Sequence, residues 1–381
     1  MPARGHRLGR AGAQEEGGCW PVSDNGDARY GEPTLVKGNE AICEGAIWGG
    51  CRYFFGYPIT PQNQIPEYMS HRLPEVGGVF LQGESELASI NMVYGASAAG
   101  ARVMTTSSSP GISLMTEGIS YLVASELPAV LVNVTRGGPG LGNIAAAQSD
   151  YNQATRMGHG DMPMIVFGPN SVQELYDHTA WAFQLADEAR APVLILADAV
   201  LGQMMEPMRP RIDDHPPAPD KPWATNGCKG REPNVVNSLY ADHDDMETVN
   251  LRVRQRYAEA SKRCLRWAEH QTDDAELLLV AYGTSARVCE TVVTRLREAG
   301  TKAGLLRPVT LRPFASERIG ELAEQARRVV VVEMNMGQMV DDVRLAVNGR
   351  CPVDFTGRTG GNIPSVEEIL TAINEHSPVA G

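Results

Sequence analysis

The sequence predicts an α/β protein in two units: a doubly wound parallel sheet, then a smaller α/β unit. Three observations carry this. Short apolar strands alternate with helices of about 10–18 residues through 38–198. The same alternation resumes at Leu277. Between the two, residues 206–245 break the rhythm with Pro207, Pro210, Pro216, Pro217, Pro219, Pro222 and Pro233, which places a unit boundary in that connection.

The elements follow in order. Residues 1–33 are rich in Gly, Arg, Glu and Asp without periodicity and are expected to be a disordered leader. Residues 38–51 set Ala41, Ile42, Ala46 and Ile47 at helical spacing. Tyr53–Gly56 is a short apolar strand, followed by the proline-bounded loop Tyr57–Pro61. Residues 85–99 are small and apolar, as in a helix packed close to a sheet. Arg102–Ser107, Ala129–Thr135, Met164–Phe167 and Pro192–Asp198 read as buried strands. Ser171–Glu188 is an amphipathic helix with an Asn170/Ser171 cap. A charged helix is expected near Met246–His270. The second unit then reads strand Leu277–Tyr282, helix Ser285–Glu298, strand Ala303–Leu306, helix Glu317–Ala326, strand Val329–Glu333 and helix Gly337–Asn348. The expected organisation is a leader over 1–33, a first unit over 34–206, a linker and helix over 207–274, and a second unit over 275–378.

Composition narrows the function. The net charge of −12 argues against nucleic acid, which needs clustered Lys and Arg. It suits docking against a basic or neutral protein. No apolar run reaches the ~18–20 residues of a membrane span. Arg4, His6, Arg7 and Arg10 precede no apolar stretch, so a secretory signal is not expected and the cytoplasm is. No two of the seven cysteines are separated by only two residues, which is poor spacing for zinc or an iron–sulfur cluster. No metal site is expected in this chain.

Four stretches have the residue types for chemistry. Doubly wound sheets bind ligands at the carboxyl ends of their strands, and the loops at 57–61, 107–113 and 135–143 should share that face. Tyr57-Pro58-Ile59-Thr60-Pro61 is a stiff turn that presents the Thr60 hydroxyl; a tight connection would read the same way. Glu84-Ser85-Glu86 opens the small-residue helix, where glutamates often serve only as caps. Glu86, however, is followed by Leu87, Ala88, Ile90, Met92 and Val93. A carboxylate in such surroundings can share a proton with a ring nitrogen. Thr105–Gly111 leads into a helix near Ile112, an architecture that presents backbone N–H groups to a ligand, although Ser-rich strand-to-helix turns are common. Arg136 follows a buried strand and precedes Gly137-Gly138-Pro139-Gly140-Leu141-Gly142, a setting for bidentate carboxylate capture or for holding loop carbonyls. No Gly-Asp-Gly, Walker loop or convincing dinucleotide fingerprint is present, so a phosphate-binding half must come from a second chain.

Together, Tyr57–Pro61, Gly83–Gly100, Ser107–Glu117, Arg136–Gly142, Gln148-Ser149-Asp150, Pro169–Glu174, Gly202–Pro207, Leu305–Phe314 and Glu333–Gln338 resemble the α-type subunit of 2-oxoacid:ferredoxin oxidoreductases. Gly38–Pro207 is most similar to the branched-chain (2-oxoisovalerate) group, with the 2-oxoglutarate group as near neighbour. The resemblance implies a thiamine-diphosphate-binding domain of the pyrimidine type, followed by a transketolase C-terminal-like domain. It implies that Glu86 hydrogen-bonds the cofactor's pyrimidine nitrogen, that Thr60 faces the substrate carboxylate or keto group, and that Arg136 anchors that carboxylate. Tyr57, Pro58, Ile59, Ser109 and Gly111 would line the cofactor.

The resemblance also implies a β-type subunit holding the diphosphate and Mg2+. The [4Fe-4S] clusters would lie in γ-type and ferredoxin-like subunits, with coenzyme A as co-substrate and ferredoxin as acceptor. Two rivals share the fold: a non-oxidative thiamine enzyme half, and a non-catalytic scaffold subunit. The leader and the stretch near 210–235 match nothing in the family pattern.

Overall fold

The computed structural model describes residues 7–10, 28–215 and 217–375. Ala129–Thr135 and Pro192–Asp198, each seven residues and buried throughout, lie side by side in a seven-stranded sheet. Its order is Thr310–Arg312, Ile165–Phe167, Pro192–Asp198, Ala129–Thr135, Val103–Ser107, Tyr53–Gly56, Val79–Gln82. All neighbours are parallel except Thr310–Arg312, which adds antiparallel to Ile165–Phe167.

The continuous apolar runs follow from burial on both faces. Ala129 and Leu131 face Ile90, Val93, Ile112 and Met115 of helices Glu86–Ala98 and Pro110–Ala124. Val130 and Val132 face the opposite layer, with Ile42, Ile65, Met69 and Leu175 from helices Gly38–Trp48, Gln64–Glu75 and Val172–Ala189. Gly45 lets two of these helices touch, since a Cβ there would lie 2.3 Å from the Tyr176 carbonyl oxygen.

A six-stranded sheet follows, ordered Arg7–Arg10, Arg266–His270, Ala303–Pro308, Leu277–Val280, Arg328–Glu333, Val353–Gly357. The last four are parallel, and the first two add antiparallel. Two expectations change here. The charged helix spans His243–Cys264 and stops there, and Arg266–His270 is a strand. Trp267, Ala268 and the Arg266 guanidinium are buried, and the backbone pairs with Ala303–Pro308, so tertiary pairing overrides helical composition. Within the stretch read as a disordered leader, Arg7–Arg10 forms a strand and Tyr30 is buried. The Tyr30 hydroxyl donates to Asp177 at 2.9 Å, and its ring lies under the Arg209 and Arg211 guanidiniums. Residues 1–6 and 11–27 of that leader lie outside the described residues.

The proline-rich connection straps the first unit. Thr225 N donates to the Ala98 carbonyl at 2.8 Å, and Lys221 pairs with buried Asp187 at 2.6 Å. No helix among the described residues is long and apolar enough to cross a membrane.

Candidate active site

The three loops picked out by sequence meet at the carboxyl end of the seven-stranded sheet. The turn Tyr57–Pro61 is fixed from beneath. Asn39 and Gln203 side-chain amides donate to the Pro61 carbonyl at 3.1 and 3.0 Å, and Gln62 donates to the Tyr57 carbonyl at 3.1 Å. Its outer side is open: Tyr57, Pro58 and Thr60 are exposed and Ile59 is half-buried.

Glu86 is the first residue of its helix, and the Ser85 hydroxyl caps it by accepting from Ala88 N at 3.1 Å. With the capping role filled by Ser85, the Glu86 carboxylate is not needed for it. It is buried at 6% exposure and points to the start of helix Pro110–Ala124. The Ser107 hydroxyl donates toward its Oε1 at 3.5 Å. It forms no ion pair among the described residues. Gly111 leaves this space free: a Cβ there would sit 2.0 Å from Ser107 Oγ and 2.5 Å from Glu86 Oε1.

Ser109 is the pivot between this corner and Arg136. Its φ of 27° is a conformation that a non-glycine residue rarely adopts, and such strain costs on the order of 1–3 kcal/mol. Neighbouring bonds hold it. Ser109 N donates to Asn133 Oδ1 at 3.0 Å, and its hydroxyl donates to Asp150 Oδ2 at 2.6 Å. That hydroxyl also accepts from Arg136 N at 3.1 Å. Asp150 takes a second bond from Asn133 Nδ2 at 2.9 Å. Burial raises the Asp150 carboxyl above its ordinary value, against the opposing pull of Ser109, Asn133 and Arg136.

The Arg136 side chain is buried at 8% exposure. Nη1 donates to the Thr60 carbonyl at 2.9 Å, which ties the first loop to the fourth. Nε is buried and has no hydrogen-bond partner among the described residues. A buried guanidinium with an unsatisfied donor and no carboxylate partner is costly on its own. An anionic ligand would relieve it.

Thr60, Glu86, Ser109, Gly111 and Arg136 are therefore brought to one corner, with Tyr57, Pro58 and Ile59 at its open side. The Thr60 hydroxyl makes no bond among those described; the residue's link to Arg136 is through its carbonyl. Sequence reasoning did not pick out Asn133 and Asp150 as site residues. Asp150 stood within the Gln148-Ser149-Asp150 signature, and that was its only signal.

Sequence comparison then decides the family. Residues 44–273 match the family described as pyruvate flavodoxin/ferredoxin oxidoreductase, thiamine diphosphate-binding, and residues 275–369 match pyruvate:ferredoxin oxidoreductase core domain II. The chain is 51% identical over 344 residues to the ketoisovalerate oxidoreductase subunit VorB of Methanothermobacter marburgensis, covering 90% of this chain and 97% of that one. This chain belongs to the 2-oxoacid:ferredoxin oxidoreductase family.

The chain is also similar to subunits of the 2-oxoglutarate group. The 2-oxoglutarate synthase subunit KorA of the same organism is 36% identical, over 90% of this chain and 98% of its own. Among solved structures, the 2-oxoglutarate:ferredoxin oxidoreductase of Magnetococcus marinus, determined with 2-oxoglutarate, coenzyme A and succinyl-CoA bound, superposes with a TM-score of 0.76 at 27% identity. That match covers 90% of this chain and 65% of the oxidoreductase chain. A split-gene transketolase shares the fold at a TM-score of 0.57 and 14% identity. As a 2-oxoacid:ferredoxin oxidoreductase subunit, the chain has the α/β thiamine-diphosphate-binding fold that the sequence predicts.

Proposed function

We propose that this chain brings Glu86 to the pyrimidine ring of thiamine diphosphate and Arg136 to the carboxylate of a 2-oxoacid, within a heteromeric cytoplasmic complex. The observation that carries this reading is the presence of two buried charged groups at the carboxyl end of one sheet, neither in an ion pair among the described residues. One is the Glu86 carboxylate beside the Gly111 cradle, and the other is the Arg136 guanidinium with its orphaned Nε. Both fit the bound groups: a carboxylate suits a ring nitrogen that shares its proton, and a guanidinium suits a substrate carboxylate.

When bound, thiamine diphosphate supplies the electron sink for decarboxylation. This chain's residues do the rest of the work on its side. Glu86 holds a proton at the pyrimidine nitrogen, and the Ser107 hydroxyl orients the carboxylate. Arg136 binds and orients the substrate carboxylate, with Thr60 beside it. Tyr57, Pro58, Ile59, Ser109 and Gly111 line the cofactor. Residues 34–206 form the pyrimidine-type domain, 207–274 the linker and helix, and 275–378 the transketolase C-terminal-like domain.

Gly-Asp-Gly is absent from the sequence, so the diphosphate and Mg2+ fall to a β-type subunit. The [4Fe-4S] clusters fall to γ-type and ferredoxin-like subunits, coenzyme A takes the acyl group, and ferredoxin takes the electrons.

The favoured substrate class is branched-chain. The loop 137–147 carries Leu141, Ile144 and three alanines but no Lys or Arg to meet a second carboxylate. The higher identity to the ketoisovalerate subunits points the same way. The test is coenzyme A-dependent viologen reduction by the co-purified complex with 2-oxoisovalerate and with 2-oxoglutarate. A kcat/KM at least ~10-fold higher for 2-oxoisovalerate is expected, the scale of a pocket that discriminates by shape. Preference for 2-oxoglutarate would overturn the substrate assignment.

A further inference from the structure

The loop that carries Arg136 returns to the sheet and then enters the second unit. Arg136 is bridged to Ala146, Gly137 N donates to the Ala145 carbonyl at 2.9 Å, and the Thr135 hydroxyl donates to the Ala147 carbonyl. The next residue, Gln148, is 2% exposed and makes its hydrogen bonds to the second unit. Its Nε2 donates to the Tyr282 carbonyl at 2.8 Å. Its Oε1 accepts from the Ser285 hydroxyl at 2.8 Å and from Met334 N at 3.0 Å. Its backbone N donates to the Met334 carbonyl at 3.0 Å, and its carbonyl accepts from Asn335 Nδ2 at 2.8 Å.

Ser149 continues the contact, its carbonyl accepting from Gln338 Nε2 at 2.7 Å. Asp150 then turns back to the site and holds Ser109, which in turn holds Arg136 N. Asn335 is itself fixed by Glu333, whose carboxylate accepts the N–H groups of Met339 and Val340 at a helix start. Three consecutive residues therefore have the second unit on one side and the substrate arginine's support on the other.

Resting on the functional reading above, we propose that Gln148 is a positioning residue for substrate: through it, the second unit sets where Arg136 lies. The link is short, and Gln148 and Asp150 within it are buried and hydrogen-bonded on both sides. Loosening one end shifts the other rather than dissipating, because well-packed interiors transmit strain. A misplacement of ~1 Å at a binding group is enough to lower kcat/KM by on the order of 100-fold.

The test uses the co-purified complex bearing Gln148→Glu and, separately, Ser285→Ala. Gln148→Glu keeps the shape but sets a carboxylate oxygen against the Tyr282 carbonyl. Ser285→Ala removes one bond far from the substrate and leaves the fold intact. The expected result is a KM for the 2-oxoacid raised ~10-fold or more in Gln148→Glu and ~2–3-fold in Ser285→Ala. KM for coenzyme A and for ferredoxin should stay at the wild-type value, with kcat within ~2-fold. A merely structural role would lower the active fraction, and so kcat, without moving KM for one substrate. If Gln148→Glu fails to assemble, Ser285→Ala decides by the same criterion. An unchanged KM in the assembled variants would overturn the proposal. Loss of 2-oxoacid-dependent reduction in the wild type itself would instead overturn the functional reading.

Discussion

Arg136 is held by its backbone and left partly unsatisfied at its side chain. That division predicts what its loss does. Under the proposed function, Arg136→Met should lower kcat/KM for the 2-oxoacid by on the order of 100-fold while the melting temperature stays close to wild type, because it removes the proposed carboxylate anchor. Steady-state kinetics and a thermal melt of the same preparation check both halves.

His178 makes a different prediction. Its imidazole is buried beside Glu174, and burial lowers its pKa from 6.5 to about 4, with Arg307 and Arg266 adding to that and Glu174 opposing it. Between these values the unfolded chain binds the proton more readily than the folded one. Stability from this group is therefore complete above about pH 6.5 and declines as the pH falls toward about 4. Urea unfolding at about pH 7 and about pH 5 should show that loss, and His178→Leu should reduce it.

Glu86, Thr60 and Arg136 were legible because each follows or opens a well-marked element. Asn133, Asp150 and Gln148 were not, because their partners are far along the chain; Ser109 and Asp150 are 41 positions apart.

Helix starts decide the site at the scale of elements. Helix Pro110–Ala124 brings Gly111 against the Glu86 carboxylate without a side chain. Gly111→Ala should displace Ser107 or Glu86 and cut activity by at least ~10-fold with the fold retained, the size of a disturbed proton-sharing contact. Circular dichroism with the viologen assay checks it; full activity would show that the cradle is not needed.

Most elements announced themselves in the sequence, the helices by period and the strands that end at Ser107 and Thr135 as buried runs. The strand Val79–Gln82 did not. It is an edge strand with Val79 and Leu81 about half exposed, so it carries neither a buried run nor a clean alternation. Thr310–Arg312 was missed for another reason. It is three residues long and joins the sheet of the other unit, a choice that only tertiary packing makes.

At the scale of the whole molecule, the two units are joined by buried polar contacts as well as by that strand. Arg307 Nη1 and Nη2 donate to the two Glu174 oxygens at 2.9 and 2.6 Å, with both side chains buried. Burial alone would raise the Glu174 carboxyl, but Arg307 holds it below its ordinary value. Removing one partner leaves the other charge buried, so Arg307→Leu should destabilise the chain by ~3–5 kcal/mol. The double variant Arg307→Leu with Glu174→Leu should recover part of that loss in denaturant unfolding, since it removes the unpaired charge. Units locked in this way make the second a support for the first, which the sequence, read as two separate alternating patterns, does not reveal.

Glu86 is proposed to act at the cofactor's pyrimidine ring. The most direct test is 2-oxoacid-dependent, coenzyme A-dependent viologen reduction by the co-purified complex, wild type against Glu86→Gln. Activity is expected in the wild type, with a fall of ~100-fold or more in the variant, the scale of lost proton transfer, and subunit assembly unchanged. Equal activity in both would remove Glu86 from the chemistry and leave the chain as a scaffold of the complex.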